Sequence, residues 1–200
     1  MSHLQTENPS SSTFPRTPPA ITTEEVIEFL ARCFQDPALS PIGHLARIVA
    51  NTGMRVGELE GLGIGSIDLI RSRVEIPSHK SYERARYIPM RSKTLESLME
   101  LHTLNGESDF VLGSSQKFRI CRAVSLLRSN KSSHNRARTT FHSLRQNFAC
   151  RLHESGVPLH LVKYCLGHAQ LPWFRYDFAM SSEGMFELLK LEMDCNVVEL

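Results

Sequence analysis

From His142 to Tyr176, within the run FHSLRQNFACRLHESGVPLHLVKYCLGHAQLPWFRY that opens at Phe141, the chain delivers His142, Arg145, His168 and Tyr176 inside 35 residues. An imidazole changes charge near neutral pH, a guanidinium does not, and a phenol gives up its proton only near pH ~10. Such a set can hold an anion and move a proton beside it. Residues three or four apart share a helix face, so His142, Arg145 and Ala149 line one edge and Leu144, Phe148 and Leu152 the adjacent one. One edge packs while the other presents the cation and the imidazole.

The helix that carries them is predicted to start at His142 and stop at Gly156. Val157-Pro158 opens a second helix, proline being suited to a first turn, with Leu161, Val162 and Cys165 inward and an end at Leu166-Gly167-His168. Upstream, Met1 to Ala20 is rich in Ser, Thr and Pro and reads as a disordered leader. Thr22-x-x-Glu25 is a capping box opening a helix to about Phe34, and a second helix from about Pro41 closes at Gly53. Met54 to Leu59 is a short helical turn that begins with Arg55.

From Ile67 the period becomes alternating, and Ile67-Asp68-Leu69, Arg73 to Ile76 and Arg84 to Ile88 read as three short antiparallel strands. Lys80 falls in the connection between the second and third. Ser92 is expected to cap a helix with Leu95, Leu98 and Met99 inward. Asp109 to Leu112 could form a short strand, followed by a basic helix over about 116–128, a polar loop to Thr140, and a closing helix over 182–196 with an apolar face. These elements make a mainly α fold with a small antiparallel sheet.

Hydrophobic content of 41% and charged content of 22% are globular values, and no apolar run is long enough to span a bilayer. Five scattered cysteines without a C-x-x-C pair argue for reduced thiols in a cytoplasm and against a zinc site. Residues 117–151 hold nine of the 23 Lys/Arg and none of the 21 Asp/Glu, which leaves the rest of the chain at −7. A basic block in an otherwise acidic chain is an electrostatic footprint for a polyanion. Arg119, Arg122, Arg128, Lys131, Arg136 and Arg138 are its candidate DNA-binding residues.

ANTGMRVGELEGL, a lysine on a β-hairpin followed by R-x-I-P, H-S-L-R-Q-N-F-A-x-x-L-x-x-x-G, L-G-H and a trailing R-Y follow one another in this chain. Together they resemble the catalytic domain of the tyrosine recombinases, the phage-integrase family, over about Ile21 to Leu189. The resemblance implies a site-specific recombinase that breaks a DNA strand with a tyrosine hydroxyl, holds a 3′-phosphotyrosyl bond, and rejoins the strand to another end. It implies no metal and no cofactor, because the phosphodiester energy is kept in the covalent intermediate. Integration, inversion or resolution would each fit.

The resemblance also assigns roles. Arg55 and Arg145 occupy the two arginine positions, suited to phosphate because the guanidinium fork bonds bidentately and stays charged. Lys80 would be the general acid for the leaving 5′-oxygen, His142 the acid/base histidine, His168 a hydrogen-bond donor to the scissile phosphate, and Tyr176 the nucleophile. Glu58 would support an arginine or histidine. Tyr164 lies on the packed side of its helix and is not taken as the nucleophile. Implied partners are double-stranded DNA, a homotetramer formed on it and an accessory DNA-binding protein, in the cytoplasm at the nucleoid and without a membrane.

Two departures stand out. Tyr176 follows His168 by eight residues where the family usually has nine, the difference falling on Gln170 to Trp173 in place of a Ser/Thr-rich stretch. Only the leader precedes Ile21, so residues 21–200 are expected to be a catalytic domain without the usual N-terminal helical domain. The alternative readings are a recombinase-derived DNA-binding regulator or accessory factor that no longer cleaves, and a type IB topoisomerase-like relaxing enzyme.

Overall fold

The computed structural model describes residues 21–77, 85–106, 108–112, 140–167 and 182–200. The leader, the tip of the second hairpin with Lys80, the basic segment carrying the six candidate DNA-binding residues, and the stretch with His168, Trp173 and Tyr176 lie outside the described residues.

Helix α1 (Thr23–Gln35) starts at the expected capping box: Thr22 Oγ1 accepts from the Glu25 backbone N–H, and the Glu25 carboxylate accepts from that of Thr22 at 2.9 Å. Helix α2 (Ser40–Thr52) is the centre of the core, with Leu45, Ala46, Ile48, Val49 and Ala50 buried against α1 and the later helices α4 (Ser92–Leu104) and α5 (Phe141–Glu154). It ends at Gly53, whose φ of 64° is left-handed and where a Cβ would lie 2.6 Å from the Phe148 ring. Only glycine satisfies both demands. Helix α3 (Val56–Glu60) follows at once, with Arg55 as its N-cap.

Strands β1 (Ile67–Asp68), β2 (Arg73–Ile76) and β3 (Arg86–Pro89) form one antiparallel sheet in sequence order, with Val74 opposite Ile88 and Glu75 opposite Tyr87. Val74, Ile76 and Ile88 face the core. Helix α4 (Ser92–Leu104) begins with Ser92 as its first residue, Arg91 being the N-cap. Its buried stripe is Thr94, Ser97, Leu98 and Leu101, whereas Met99 is 38% exposed. Polar residues sit inside because α2 supplies partners: Asn51 bonds Thr94 at 3.1 Å and His44 bonds Ser97 at 3.2 Å. The expected strand at Asp109 to Leu112 amounts to one bridge, Phe110 to Gly63.

Helix α5 (Phe141–Glu154) starts one residue before the expected position, its cap being Thr140. Gly156, at φ 82°, turns the chain into α6 (Leu159–Cys165), for which Pro158 is the N-cap rather than a first-turn residue. Helix α7 (Ser182–Asn196) has the expected bounds, and its apolar face docks on its own protomer through Met185, Phe186, Leu189 and Met193. The tail beyond it is held by side chains of α2, α4 and α5: Asn51 bonds both the N–H and the carbonyl of Leu200, Thr94 bonds Glu199, and Arg151 donates to Val198 O at 2.6 Å. Among the described residues no helix is long and apolar enough to cross a membrane.

Candidate active site

Arg55 and Arg145, 90 positions apart in sequence, belong to one cluster. Phe148 and Leu166 close on Gly53, so the end of α2 meets α5 and the end of α6 at a single point. There, Arg145 Nη1 donates to the carbonyl of Gly53 and Nη2 to that of Leu166. Arg55 starts α3 just beyond Gly53, its side chain 41% exposed.

Arg145 therefore differs from the expected exposed cation: it is buried. A guanidinium carries five N–H donors, and the two carbonyl bonds leave capacity for an oxyanion. Burial first, and then the neighbouring charge of Arg55, pull its pKa down to about 10, with Glu58 acting in the opposite direction. It stays a cation at neutral pH. Arg151, six residues on in the same helix, is also buried and donates to the carbonyls of Ala50 and Val198. The two members of the basic block that are described, Arg145 and Arg151, thus point into the fold instead of forming a charged surface.

Glu58 binds arginines, as its expected supporting role requires. One carboxylate oxygen accepts from the Arg55 backbone N–H at 2.7 Å, and the other from Arg55 Nη1 at 3.2 Å and from Arg86 Nη2 at 2.8 Å. Burial pushes the Glu58 carboxyl up, but the Arg86 charge and the Arg55 and Arg86 hydrogen bonds outweigh it and hold the group below its ordinary value. Three guanidiniums around one carboxylate leave the cluster cationic, which suits a phosphodiester.

His142 is exposed on the first turn of α5, one turn before Arg145. Tyr164 is partly buried, its hydroxyl oxygen accepts from the Tyr87 backbone N–H at 2.9 Å, and burial pushes its pKa up to about 12, so it is a poor nucleophile. Of the six expected catalytic residues the structure brings Arg55 and Arg145 together, with His142 on the same helix as Arg145. Lys80, His168 and Tyr176 lie outside the described residues.

Arg86 stands in the R-x-I-P run, which by itself assigns it no role. It is 5% exposed, and its Nε donates to Cys165 O at 3.1 Å. The signal is present in the strand period, which puts Arg86 on the same face as buried Ile88; a charge at such a position needs a built partner. Arg73 is also buried, although Glu75 on the same strand face is exposed: it stacks 4.1 Å from the Tyr87 ring and bonds both carboxylate oxygens of Glu183, at 2.7 and 2.6 Å, which ties the first turn of α7 to the sheet.

The model of the phage integrase family matches residues 19–174. The chain is similar to the tyrosine recombinase XerC of Pseudomonas syringae pv. tomato, 29% identical over 163 residues that cover 78% of this chain and 54% of that protein. It is also similar to a tyrosine recombinase of Pseudothermotoga lettingae, 32% identical over 127 residues, or 60% of this chain and 42% of that one. The chain spans about half the length of the curated relatives it matches. In fold it is similar to the crystal structure of XerA recombinase, with a TM-score of 0.62 at 22% identity over 90% of this chain and 66% of that chain. The Tn1549 transposon integrase in complex with circular intermediate DNA gives a TM-score of 0.58 at 19% identity over 89% and 66%.

Proposed function

Since this chain belongs to the phage integrase family, we propose that it breaks and rejoins double-stranded DNA at a specific site through a 3′-phosphotyrosyl intermediate. The observation that supports the reading is the convergence of Arg55 and Arg145 at Gly53, which gathers two guanidiniums at one point, as a phosphate site needs. In the reaction the Tyr176 oxygen attacks the scissile phosphorus and loses its proton. The bond from phosphorus to the 5′-oxygen breaks, and Lys80 protonates that oxygen. His142 serves as acid/base group and His168 as a donor to a non-bridging oxygen, while Arg55 and Arg145 meet the charge that builds on the phosphate. Rejoining runs the same steps backward from a new 5′-hydroxyl.

The residues 119–138 that carry Arg119, Arg122, Arg128, Lys131, Arg136 and Arg138 supply backbone contacts to the duplex. Synapsis brings four copies together on DNA, as in the lambda integrase tetramer bound to a Holliday junction, a structure of similar fold.

A DNA substrate nicked next to the cleavage position tests the reading, because loss of the short 5′-hydroxyl fragment traps the covalent complex. The wild-type chain gives a protein–DNA adduct and Tyr176→Phe gives none. Site-specific binding with no adduct would favour a regulator, and relaxation of any supercoiled plasmid would favour a topoisomerase.

A further inference from the structure

Two adjacent carbonyls at the C-terminal end of α6 are each met by a different arginine. Arg86, from β3, donates through Nε to Cys165 O at 3.1 Å, and Arg145, from α5, donates to Leu166 O. The next residue, Gly167, has φ 57°, and a Cβ there would lie 2.7 Å from Arg86 Cζ and Nη1, so the backbone at this turn is seated on the guanidinium. The same guanidinium reaches Glu58 at 2.8 Å, and Glu58 in turn holds both the backbone and the side chain of Arg55. One buried side chain thus touches the end of α6 and the support of Arg55 at once.

We infer that Arg86 is a positioning residue for the reaction: through Glu58 it sets Arg55, and through Cys165 and Gly167 it sets the end of α6 that Arg145 also bonds, so that Arg55 and Arg145 face the same phosphate. The inference rests on the cleavage reading above. Its physical need is repulsion between Arg55 and Arg145, which the Glu58 carboxylate, bonded to Arg55 and acting on Arg145, offsets only while it stays ionised. The groups that act on Glu58 are Arg55 from the start of α3 and Arg86 from β3, with Arg145 from α5 and Cys165 from α6 in the same cluster. The arginines keep their charge, and burial pushes the Cys165 thiol up. Glu58 is therefore the member of this cluster whose charge responds to acid, with Arg86 and Arg55 holding it below its ordinary value. Without Arg86, burial makes it take up a proton at a higher pH, and Arg55 loses its anchor.

The test compares wild type with Arg86→Met and Arg86→Lys in two assays. In the DNA-free protein, carbon-13 NMR follows the Glu58 carboxyl against pH and nitrogen-15 NMR follows Arg55 Nε. On the nicked DNA, the adduct rate is measured against pH. Arg86→Met is expected to raise the Glu58 midpoint by about one pH unit, to broaden the Arg55 resonance, and to slow adduct formation about 100-fold with DNA affinity unchanged. The acid limb of its rate profile moves to higher pH. Arg86→Lys restores the charge and returns the midpoint part of the way, without the second bond to Cys165. Should Arg86→Met lose cooperative unfolding, the lysine variant is read alone.

An unchanged Glu58 midpoint and Arg55 resonance in a folded variant would overturn the inference. So would a slower adduct rate whose pH profile keeps the wild-type shape, which is what a purely fold-supporting arginine gives. Failure of the wild-type chain to form any adduct would overturn the cleavage reading instead, and the NMR titration alone would still decide the role of Arg86.

Discussion

Arg145 Nη1 donates to the carbonyl oxygen of Gly53, joining α5 to the loop that presents Arg55. Both partners are groups of the fold itself, and the bond fixes the orientation of the cation. Preorganised charge of this kind acts on a reaction without reorganising during it. Much of the behaviour expected of the chain follows from that bond and its neighbours.

The two arginines differ in what their loss does to folding. Arg145→Met leaves the carbonyls of Gly53 and Leu166 buried without their donor, and each such loss costs about 1–3 kcal/mol. Urea unfolding should show a destabilisation of about 3 kcal/mol. Arg55→Ala removes a half-exposed side chain and should cost under about 1 kcal/mol, yet abolish the DNA adduct as completely. Equal destabilisation by both would contradict the geometry.

Gly53→Ala places a methyl group within 2.6 Å of Phe148 at a left-handed φ. Left-handed backbone costs a non-glycine residue about 1–2 kcal/mol, and forced overpacking a further 1–3 kcal/mol or so. Thermal unfolding should register a total of about 3 kcal/mol, while Gly57→Ala, where a Cβ meets nothing within 4 Å, should leave stability nearly unchanged.

The Glu58 carboxyl is held below its ordinary value of 4.5 in the folded chain. A depressed folded pKa contributes stability that is present above the unfolded value and is lost as pH falls through the folded one. Glu58→Gln should therefore be less stable than wild type at pH 7, and the gap should narrow as pH drops below 4.5. A gap that widens in acid would mean that Arg86 and Arg55 do not stabilise the carboxylate.

Affinity for duplex DNA should fall steeply between two salt concentrations, because each phosphate neutralised by Lys or Arg releases counterions. Replacing Arg136 and Arg138 with alanine should weaken binding on every sequence alike and flatten the slope of log affinity against log salt by about one for each phosphate no longer neutralised. Tight binding with a flat salt response would exclude the basic segment as the DNA-facing surface.

Local chemistry makes much of the fold legible. The capping box at Thr22, the left-handed stop at Gly53 and the bounds of α7 each depend on neighbours in sequence, and each stands where the pattern places it; of the two α5 edges only that of Leu144, Phe148 and Leu152 does, because Arg145 and Ala149 on the other are buried as well. What the pattern does not carry is the direction of the arginines. Arg145 and Arg151 sit in a polar, basic block and read as surface, but the carbonyls that draw them inward belong to Gly53 and Ala50, about a hundred positions away. Arg86 and Thr94 escape a reading of the sequence for the same reason: their partners, Glu58 and Asn51, come from other elements. The pairing of Arg55 with Arg145 is legible only through the family resemblance, since no periodicity links residues so far apart.

The most direct measurement digests the trapped protein–DNA complex and locates the nucleotide by mass spectrometry. One modified peptide is expected, with the nucleotide on Tyr176, and none when Arg55 or Arg145 is replaced. A nucleotide on Tyr164, or an adduct that survives loss of both arginines, would contradict these assignments.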